Sequence, residues 1–294
     1  MALIDLCAAV CAVKHSRRPC VTAGIEAVHF LSPARINQLV ILQATIAQAF
    51  NTSVQVMVSV YAEDLKTGEQ TLCCTAVLVF VALDEQGNKT RVPALELVPG
   101  DSKLAFIAQA KEAVEIKRDL GTKDELDDGS VEKVLMKDTA EEMTKLVMPA
   151  NSNSLGFTFG GQILKWMEQS GSISAMKVAR SDVATASMDG MSLKKSSKSG
   201  WMLQFRSRVT RVFGRSIEVQ VQVAGNDYRG LRNEITIAEG FFTFVSLDSK
   251  NLSKQITPSN SEEKQQFDNA IERRRKRLAI LENVRQLVQD KRLG

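Results

Sequence analysis

Hydrophobic and polar residues alternate along much of this chain, and the period of the alternation predicts long β-strands. Valine occupies every second position from residue 54 to residue 60, and the same period returns between residues 217 and 223. A period of two is typical of a strand with one buried face. Three further β-type runs lie at residues 39–46, 73–83 and 235–247, and apolar stretches with helical spacing lie at residues 3–13 and 162–178.

The two groups of elements are copies of one unit. Three segments of the first copy recur in the second: residues 21–23 at 184–186, 50–56 at 213–219, and 80–84 at 244–248. The first two offsets are equal (184 − 21 = 163 and 213 − 50 = 163), and the third is one residue longer. Such a period is far longer than that of solenoid repeats, which indicates a duplicated domain. One helix followed by a meander of strands predicts an α+β unit whose sheet wraps around the helix.

The offset also locates the start of the first copy. Met1 aligns with Leu164 (164 − 163 = 1), so the chain is expected to begin inside its first helix. The second copy opens with a predicted strand at 142–149 and a glycine turn at 153–161, and the first copy is expected to lack both. A wrongly assigned start would produce the same pattern, and mass spectrometry of the native N-terminus would detect it.

A charged helix is predicted after each unit, at residues 103–120 and 261–291, and an acidic, glycine-containing linker separates the units. The predicted domains are residues 1–120 for the first unit with its trailing helix, 121–138 for the linker, 139–250 for the second unit and 251–294 for the C-terminal helix.

Composition narrows the classes of function. Aromatic residues make up only 5% of the chain, which argues against a stacking-based binder of single-stranded nucleic acid, and the net charge of +4 suits a small polyanionic ligand. No stretch approaches the roughly 20 apolar residues of a membrane span. Five cysteines and only two histidines, without metal-ligand spacing, favour reduced thiols in a cytoplasmic protein and argue against a metal site.

The glycine turn of the second copy is the first candidate for chemistry. Gly160 and Gly161 directly precede the predicted helix, whose unpaired N–H groups and partial positive charge can polarise a carbonyl. Glu168 lies two turns further along the same face of that helix. The same glycines would equally permit close packing of the helix against a strand, so both interpretations stay open at this point.

Asp5 occupies the position of Glu168 in the first copy (168 − 163 = 5). A carboxylate within the apolar residues 1–6 is costly to bury unless it has a partner or a role. The alternative is an aspartate that faces solvent at the chain start, which the acid at the same position of both copies disfavours.

Together these features resemble the double-hotdog acyl-CoA thioesterases, most closely the branch of the cytosolic acetyl-CoA hydrolase and the brown-fat-inducible thioesterase. The resemblance is strongest in residues 153–168, in the two F-x-x-S-[VI]-x-V segments and in residues 270–278. It implies tandem hotdog domains paired side by side, with sites for CoA thioesters at their junction. It also implies a trimer of such chains, with acyl-CoA and neither nucleic acid nor a membrane as partner.

The resemblance implies a role for each candidate residue in thioester hydrolysis. Asp5 would be a general base on water or a nucleophile, Asn153 would orient the water or the thioester carbonyl, and Glu168 would belong to a degenerate second site. The thiolate leaves without a strong general acid, and no cofactor is expected because the CoA thioester is the substrate. The CoA-binding positions that the resemblance implies are Ala23, Gly24, Ile25, Thr52, Ser53, Val54, Arg215, Ser216, Ile217 and Arg275.

A second function stays open beside hydrolysis. Because the first copy is expected to lack its glycine turn, the chain could be a catalytically impaired paralogue that binds CoA or acts as a scaffold. Turnover no faster than buffer, together with tight CoA binding, would distinguish this alternative.

Overall fold

Each half of the chain folds into one helix and a set of long antiparallel strands. The computed structural model describes residues 1–96, 131–153, 155–227, 234–248, 252 and 254–290. The first half contains α1 (Ala2–Ser16), β1 (Cys20–Phe30), β2 (Gln38–Ala49), β3 (Ser53–Asp64) and β4 (Gln70–Ala82). The second half contains β5 (Glu132–Leu135), β6 (Glu141–Leu146), α2 (Gly160–Ala179), β7 (Val183–Leu193), β8 (Trp201–Phe213), β9 (Ser216–Asp227), β10 (Ile235–Ser246), β11 (Lys254–Thr257) and α3 (Ser261–Asp290).

Nine of these strands form one sheet in the order β2-β3-β4-β1-β7-β10-β9-β8-β6. The two halves meet where β1 pairs antiparallel with β7. Glycine is needed at this seam, because a methyl group at Gly24 would lie 2.9 Å from the Met191 carbonyl oxygen and one at Gly190 would lie 3.0 Å from the Glu26 carbonyl oxygen. The predicted α+β architecture, with two units side by side, is confirmed.

Helices α1 and α2 pack on one face of the sheet and form the core with it. Helix α1 buries Ile4, Ala8 and Ala12, which are four residues apart and therefore lie on one stripe. Both helices end at an arginine in the left-handed conformation, Arg17 after α1 and Arg180 after α2, and these residues are again 163 apart (180 − 17 = 163). The N–H of each arginine bonds a carbonyl in the last helical turn, so the repeat extends to the helix ends.

The prediction of strands with one buried face is wrong for β9. Its apolar residues are buried in the core as predicted, but Glu218 and Gln220 on the opposite face are buried as well. Helix α3 lies against this outer face. Arg273 donates to Glu218 Oε1 at 2.7 Å, and its guanidinium stacks 3.7 Å from the centre of the Phe241 ring. The strand pattern could not indicate a helix that covers the outer face from the end of the chain.

Strand β6 covers the edge of β8, and the described residues contain no first-half counterpart of β6. Strand β2 corresponds to β8 in the repeat, and within the described ranges it pairs only with β3. Val40 on β2 is 46% exposed, whereas its counterpart Leu203 on β8 is fully buried.

Part of the predicted linker contains regular structure. Within residues 121–138, β5 pairs in parallel with β11, and a 3-10 turn (Met136–Thr139) follows it with Met136 buried. The partner strand is far away in sequence, so linker composition could not reveal the pairing. The predicted helix at 103–120 lies outside the described residues, and the domain boundaries stay a prediction. In the part of the chain that the structure describes, no helix is both long and apolar enough to cross a membrane.

Candidate functional site

The Asp5 carboxylate lies at the contact between the two halves of the chain. Its side chain projects from the first turn of α1 toward the start of α2, and the residue is only 2% exposed. The Gly161 N–H donates to Oδ2 at 2.8 Å, and the Thr22 hydroxyl donates to Oδ1 at 2.8 Å. An aspartate that faces solvent is therefore excluded, and both carboxylate oxygens have a donor.

The two glycines of the turn are required by these same two side chains. A methyl group at Gly160 would lie 2.6 Å from Thr22 Cβ, and one at Gly161 would lie 2.6 Å from Asp5 Cβ. Real side chains essentially never approach so closely, so the start of α2 reaches Asp5 and Thr22 only without a Cβ atom. Close packing, one of the two interpretations that the sequence left open, therefore holds for these glycines.

The predicted oxyanion role of Gly161 stays a prediction, and its N–H group has another partner in this structure. Its N–H group is bonded to Asp5, so it is not free to donate to a developing oxyanion. The physical reason is that the aspartate comes from the other half of the chain and takes the helix N-terminal donor directly.

Asn153 organises the turn that precedes α2. Its Oδ1 atom accepts hydrogen bonds from the backbone N–H groups of Leu155 and Phe157, both at 3.0 Å. Its own N–H donates to the Phe157 carbonyl at 2.8 Å. Among the described residues no partner bonds Asn153 Nδ2, so this amide group is the part of the side chain that can donate to a ligand.

Asp5 and Asn153 line one cavity of about 30 Å³ together with Thr22 and Gly160. A volume of this size holds roughly one or two water molecules, and the polar side chains supply the partners that a buried water needs. The other lining residues are Ala9, Cys20, Val21, Phe80, Phe157, Thr158, Phe159, Ile163, Leu193, Lys195, Ser196 and Ser197.

Burial changes the proton affinity of the carboxylate. It raises the pKa of Asp5 above its ordinary value, and the hydrogen bonds from Gly161 and Thr22 lower the pKa in part. A carboxylate with a raised pKa accepts a proton from water more readily than an exposed one. The arrangement is therefore suited to a general base whose ionised form is stabilised by two donors.

Neither histidine takes part in this cavity. His15 Nε2 lies 3.0 Å from the Pro93 carbonyl oxygen. His29 is buried on the sheet, and burial lowers its pKa to about 4, with the nearby Arg277 as a second cause. Its ring is therefore neutral at neutral pH.

The second half holds a matching pair of residues. Thr185 donates to Glu168 Oε1 at 2.6 Å, and this pair is displaced by 163 residues from Thr22 and Asp5. Beside Thr185 lies an apolar groove of about 470 Å³, which Ile4 and Val40 also line. Glu168 is thus placed as the repeat predicts, but no glycine turn of the described first half lies over it.

The predicted CoA-binding positions lie at two separate places. Residues 23–25 follow Thr22 on β1, and residues 52–54 reach the same end of the sheet, because Ser53 pairs with Val81 and Val81 with Val21. None of these residues lines the cavity of Asp5, but two of their neighbours do: Thr22, which precedes Ala23, and Phe80, which pairs with Val54.

Residues 215–217 lie two strands away from the second pair instead. Ile217 is opposite Phe244 and Phe244 is opposite Thr185, while the Arg215 guanidinium donates to the Ser246 carbonyl. Arg275 pairs with Glu272 on its own helix and is 43% exposed. No contact of the described residues joins it to the cavity.

Sequence reasoning missed two parts of the site. Thr22 belongs to the repeated triplet at 21–23, but the triplet alone does not indicate its contact with Asp5. The available signal was a spacing of 17 residues that is the same in both halves, from Asp5 to Thr22 and from Glu168 to Thr185. The loop between β7 and β8 (residues 194–200) corresponds to residues 31–37 of the first half, and its lysines at 194, 195 and 198 were its only signal.

Comparisons with known proteins agree with this geometry. The model of the thioesterase superfamily matches residues 1–69 and 155–227, one segment in each half. Acyl-coenzyme A thioesterase 11 of Mus musculus is 28% identical over 94% of this chain and 48% of its own length. Acetyl-coenzyme A thioesterase of Mus musculus is 28% identical over 94% of this chain and 52% of its own length. A human cytosolic acyl coenzyme A thioester hydrolase is 27% identical over 84% of this chain and 67% of its own length. The chain thus spans about half the length of the first two relatives.

Solved structures show the same fold. An acyl-CoA hydrolase from Staphylococcus aureus, in complex with butyryl coenzyme A and coenzyme A, is 28% identical and has a TM-score of 0.50 over 53% of this chain and 97% of its own. Alanine variants of that hydrolase at an asparagine, an aspartate 15 residues later and a threonine 17 residues after the aspartate have also been solved. The chain belongs to the thioesterase superfamily, and each half carries one copy of its hotdog fold.

Proposed function

We propose that this chain hydrolyses acyl-CoA thioesters to the free acid and CoA. The observation that carries the proposal is the buried Asp5 carboxylate, held by Gly161 and Thr22 beside a cavity that Asn153 also lines. The activity named for the relatives supports the same reaction. So do the intervals in the Staphylococcus aureus hydrolase, because Thr22 follows Asp5 by the same 17 residues.

The chemistry follows from the positions of the polar groups. A water in the cavity loses a proton to Asp5 while its oxygen attacks the thioester carbonyl carbon. The carbonyl oxygen gains negative charge, and Asn153 Nδ2 is placed to donate to it or to orient the water. The carbon–sulfur bond then breaks, and the leaving thiolate takes up a proton as free CoA. In the alternative route, Asp5 itself attacks and forms a transient anhydride.

Hydrolysis is tested by the release of CoA thiol from purified protein across a series of acyl lengths. Loss of a general base costs about 10²- to 10⁴-fold in rate, which is the expected effect of Asp5→Asn. Asn153→Ala is expected to reduce turnover as well. Asp138→Asn removes an exposed carboxylate from a turn outside the site and serves as the control, with no change expected.

Unchanged rates in both site variants would refute the assignment. Tight CoA binding with turnover no faster than buffer would instead favour a CoA-binding or scaffolding paralogue. In a single turnover in ¹⁸O-labelled water, label in the Asp5 carboxylate would identify the anhydride route with attack on the Asp5 carbonyl, because the general-base route places the label only in the free acid.

The remaining expectations concern assembly and location. A trimer of these chains, a cytoplasmic location and independence of any cofactor are part of the proposal. Light scattering after gel filtration tests the trimer, and activity in the presence of a chelator tests independence of metal.

A further inference from the structure

The loop between β7 and β8 places positive charge at the mouth of the cavity. Lys194, Lys195 and Lys198 are all exposed, and none forms a salt bridge with a residue that the structure describes. Lys195 itself lines the cavity, together with Ser196 and Ser197. We call residues 194–199 the lysine loop.

The lysine loop is fixed to the turn that carries Asn153. Ser197 is buried, its hydroxyl donates to Thr158 Oγ1 at 2.7 Å, and the Thr158 N–H donates to the Ser197 carbonyl at 2.9 Å. Phe157 forms a β-bridge with Lys198, whose ammonium lies 5.3 Å from the centre of the Phe157 ring. The three charges are thus held at a defined position relative to the catalytic cavity.

Uncompensated lysines at a fixed position are suited to phosphate. An ammonium group acts as a point charge with three donors, and it binds phosphate best when no carboxylate already neutralises it. Most charged surface residues simply face solvent, but Lys195 lines the cavity of Asp5, and Lys194 and Lys198 lie on the same loop. The proposed substrate of this site carries its charge in a nucleotide diphosphate and a 3′-phosphate. Arg275, which the resemblance assigned to the phosphates, is paired with Glu272 instead.

We propose that the lysine loop binds the phosphates of the CoA moiety and so makes the chain selective for CoA thioesters over thioesters without a nucleotide. This inference rests on the proposed hydrolysis at Asp5. Two groups of residues then contact different parts of the substrate. Asp5 and Asn153 act on the acyl thioester, and Lys194, Lys195 and Lys198 bind the nucleotide phosphates.

The test compares butyryl-CoA with butyryl-pantetheine, which has the same thioester and no nucleotide phosphates. In the triple variant Lys194→Gln/Lys195→Gln/Lys198→Gln, we expect the ratio of kcat/KM for the two substrates to fall about tenfold, since each exposed ionic contact contributes modestly. We expect the change to lie in KM for butyryl-CoA, and added salt to raise that KM less in the variant than in the parent.

A matched variant removes equal charge elsewhere. Lys66, Lys133 and Lys137 are exposed and form no salt bridge with a described residue. The variant Lys66→Gln/Lys133→Gln/Lys137→Gln is expected to keep the substrate ratio of the parent. An equal fall in both triple variants would show that net charge alone steers CoA and would overturn the proposal.

Two further outcomes keep this inference separate from the proposed function. An unchanged substrate ratio in the lysine-loop variant, with hydrolysis intact, would refute phosphate binding and leave the hydrolysis standing. If the parent hydrolyses neither substrate, titration calorimetry with CoA and with pantetheine decides: a loss of CoA affinity confined to the lysine-loop variant supports the proposal, and equal affinity refutes it.

Discussion

Gly161→Ala tests whether the donor from α2 holds the Asp5 carboxylate. The new methyl group would lie 2.6 Å from Asp5 Cβ, 3.0 Å from Asp5 Oδ2 and 3.1 Å from Ala2 Cα. Since carbon atoms pack at about 3.5–4.0 Å, α1 and α2 must separate by about 1 Å at this point. The 2.8 Å hydrogen bond from the Gly161 N–H to Oδ2 is then lost or greatly weakened.

The size of the effect follows from that bond. A hydrogen bond to a charged group contributes about 1.5–3 kcal/mol, and one pKa unit corresponds to about 1.4 kcal/mol. The bond stabilises the ionised form, so its loss raises the pKa of Asp5 beyond the rise that burial already causes. Asp5 acts as a base only when ionised, so the acidic limb of the pH–rate profile should move to higher pH by the same amount.

The assay is kcat/KM for thioester hydrolysis as a function of pH, with circular dichroism to verify folding. Gly240→Ala is the matched control, because its methyl group would meet only side-chain atoms of Met167 and Met191, at 3.4 Å or more. We expect the control profile to superimpose on that of the parent. A folded Gly161→Ala protein whose acidic limb has not moved would show that the Gly161 N–H does not tune the base.

Two further predictions concern stability and the second pair. Arg273→Met leaves the fully buried Glu218 without its closest cation and should lower the free energy of unfolding by about 3–5 kcal/mol. Arg275→Met on the same helix removes an exposed ion pair and should lower it by less than about 1 kcal/mol. Equal losses of unfolding free energy for the two variants in urea denaturation would contradict the role of burial. Glu168→Gln should leave hydrolysis within about twofold of the parent, because Glu168 does not line the cavity of Asp5, and a tenfold loss of kcat would place chemistry at the second pair.

Much of the fold could be predicted from the sequence, because the spacing of apolar residues within each element indicates helices and strands and the repeat relates them between the two halves. Helices, strands and even the paired positions of Asp5 and Glu168 follow from periodicity and a constant offset, whereas the place of β1 beside β4 departs from the predicted meander. The structure adds that each acid has a threonine partner 17 residues later, Thr22 and Thr185. That spacing was visible in the sequence, but a hydrogen bond between a helix and a strand becomes apparent only when their packing is known.

Contacts between distant segments could not be predicted. The Gly161 N–H and Asp5 are 156 residues apart, and no periodicity reports that the start of one helix meets the side chain of another. The burial of Glu218 likewise depends on Arg273 of α3, 55 residues away. In the first case the sequence identified Asp5 as an unusual residue, and in both cases the partner came from an element that the local pattern does not connect to it.

The site is a property of the two halves together. Asp5 and Thr22 belong to the first half, whereas Gly160, Gly161 and Asn153 belong to the second. The second half also has a carboxylate and a threonine in the same relation, yet no described glycine turn faces them, so a correct pair in one half is not sufficient. Any change that moves the halves apart at the seam of β1 and β7 should therefore abolish activity before either half unfolds, because the carboxylate would keep its threonine and lose its helix donor.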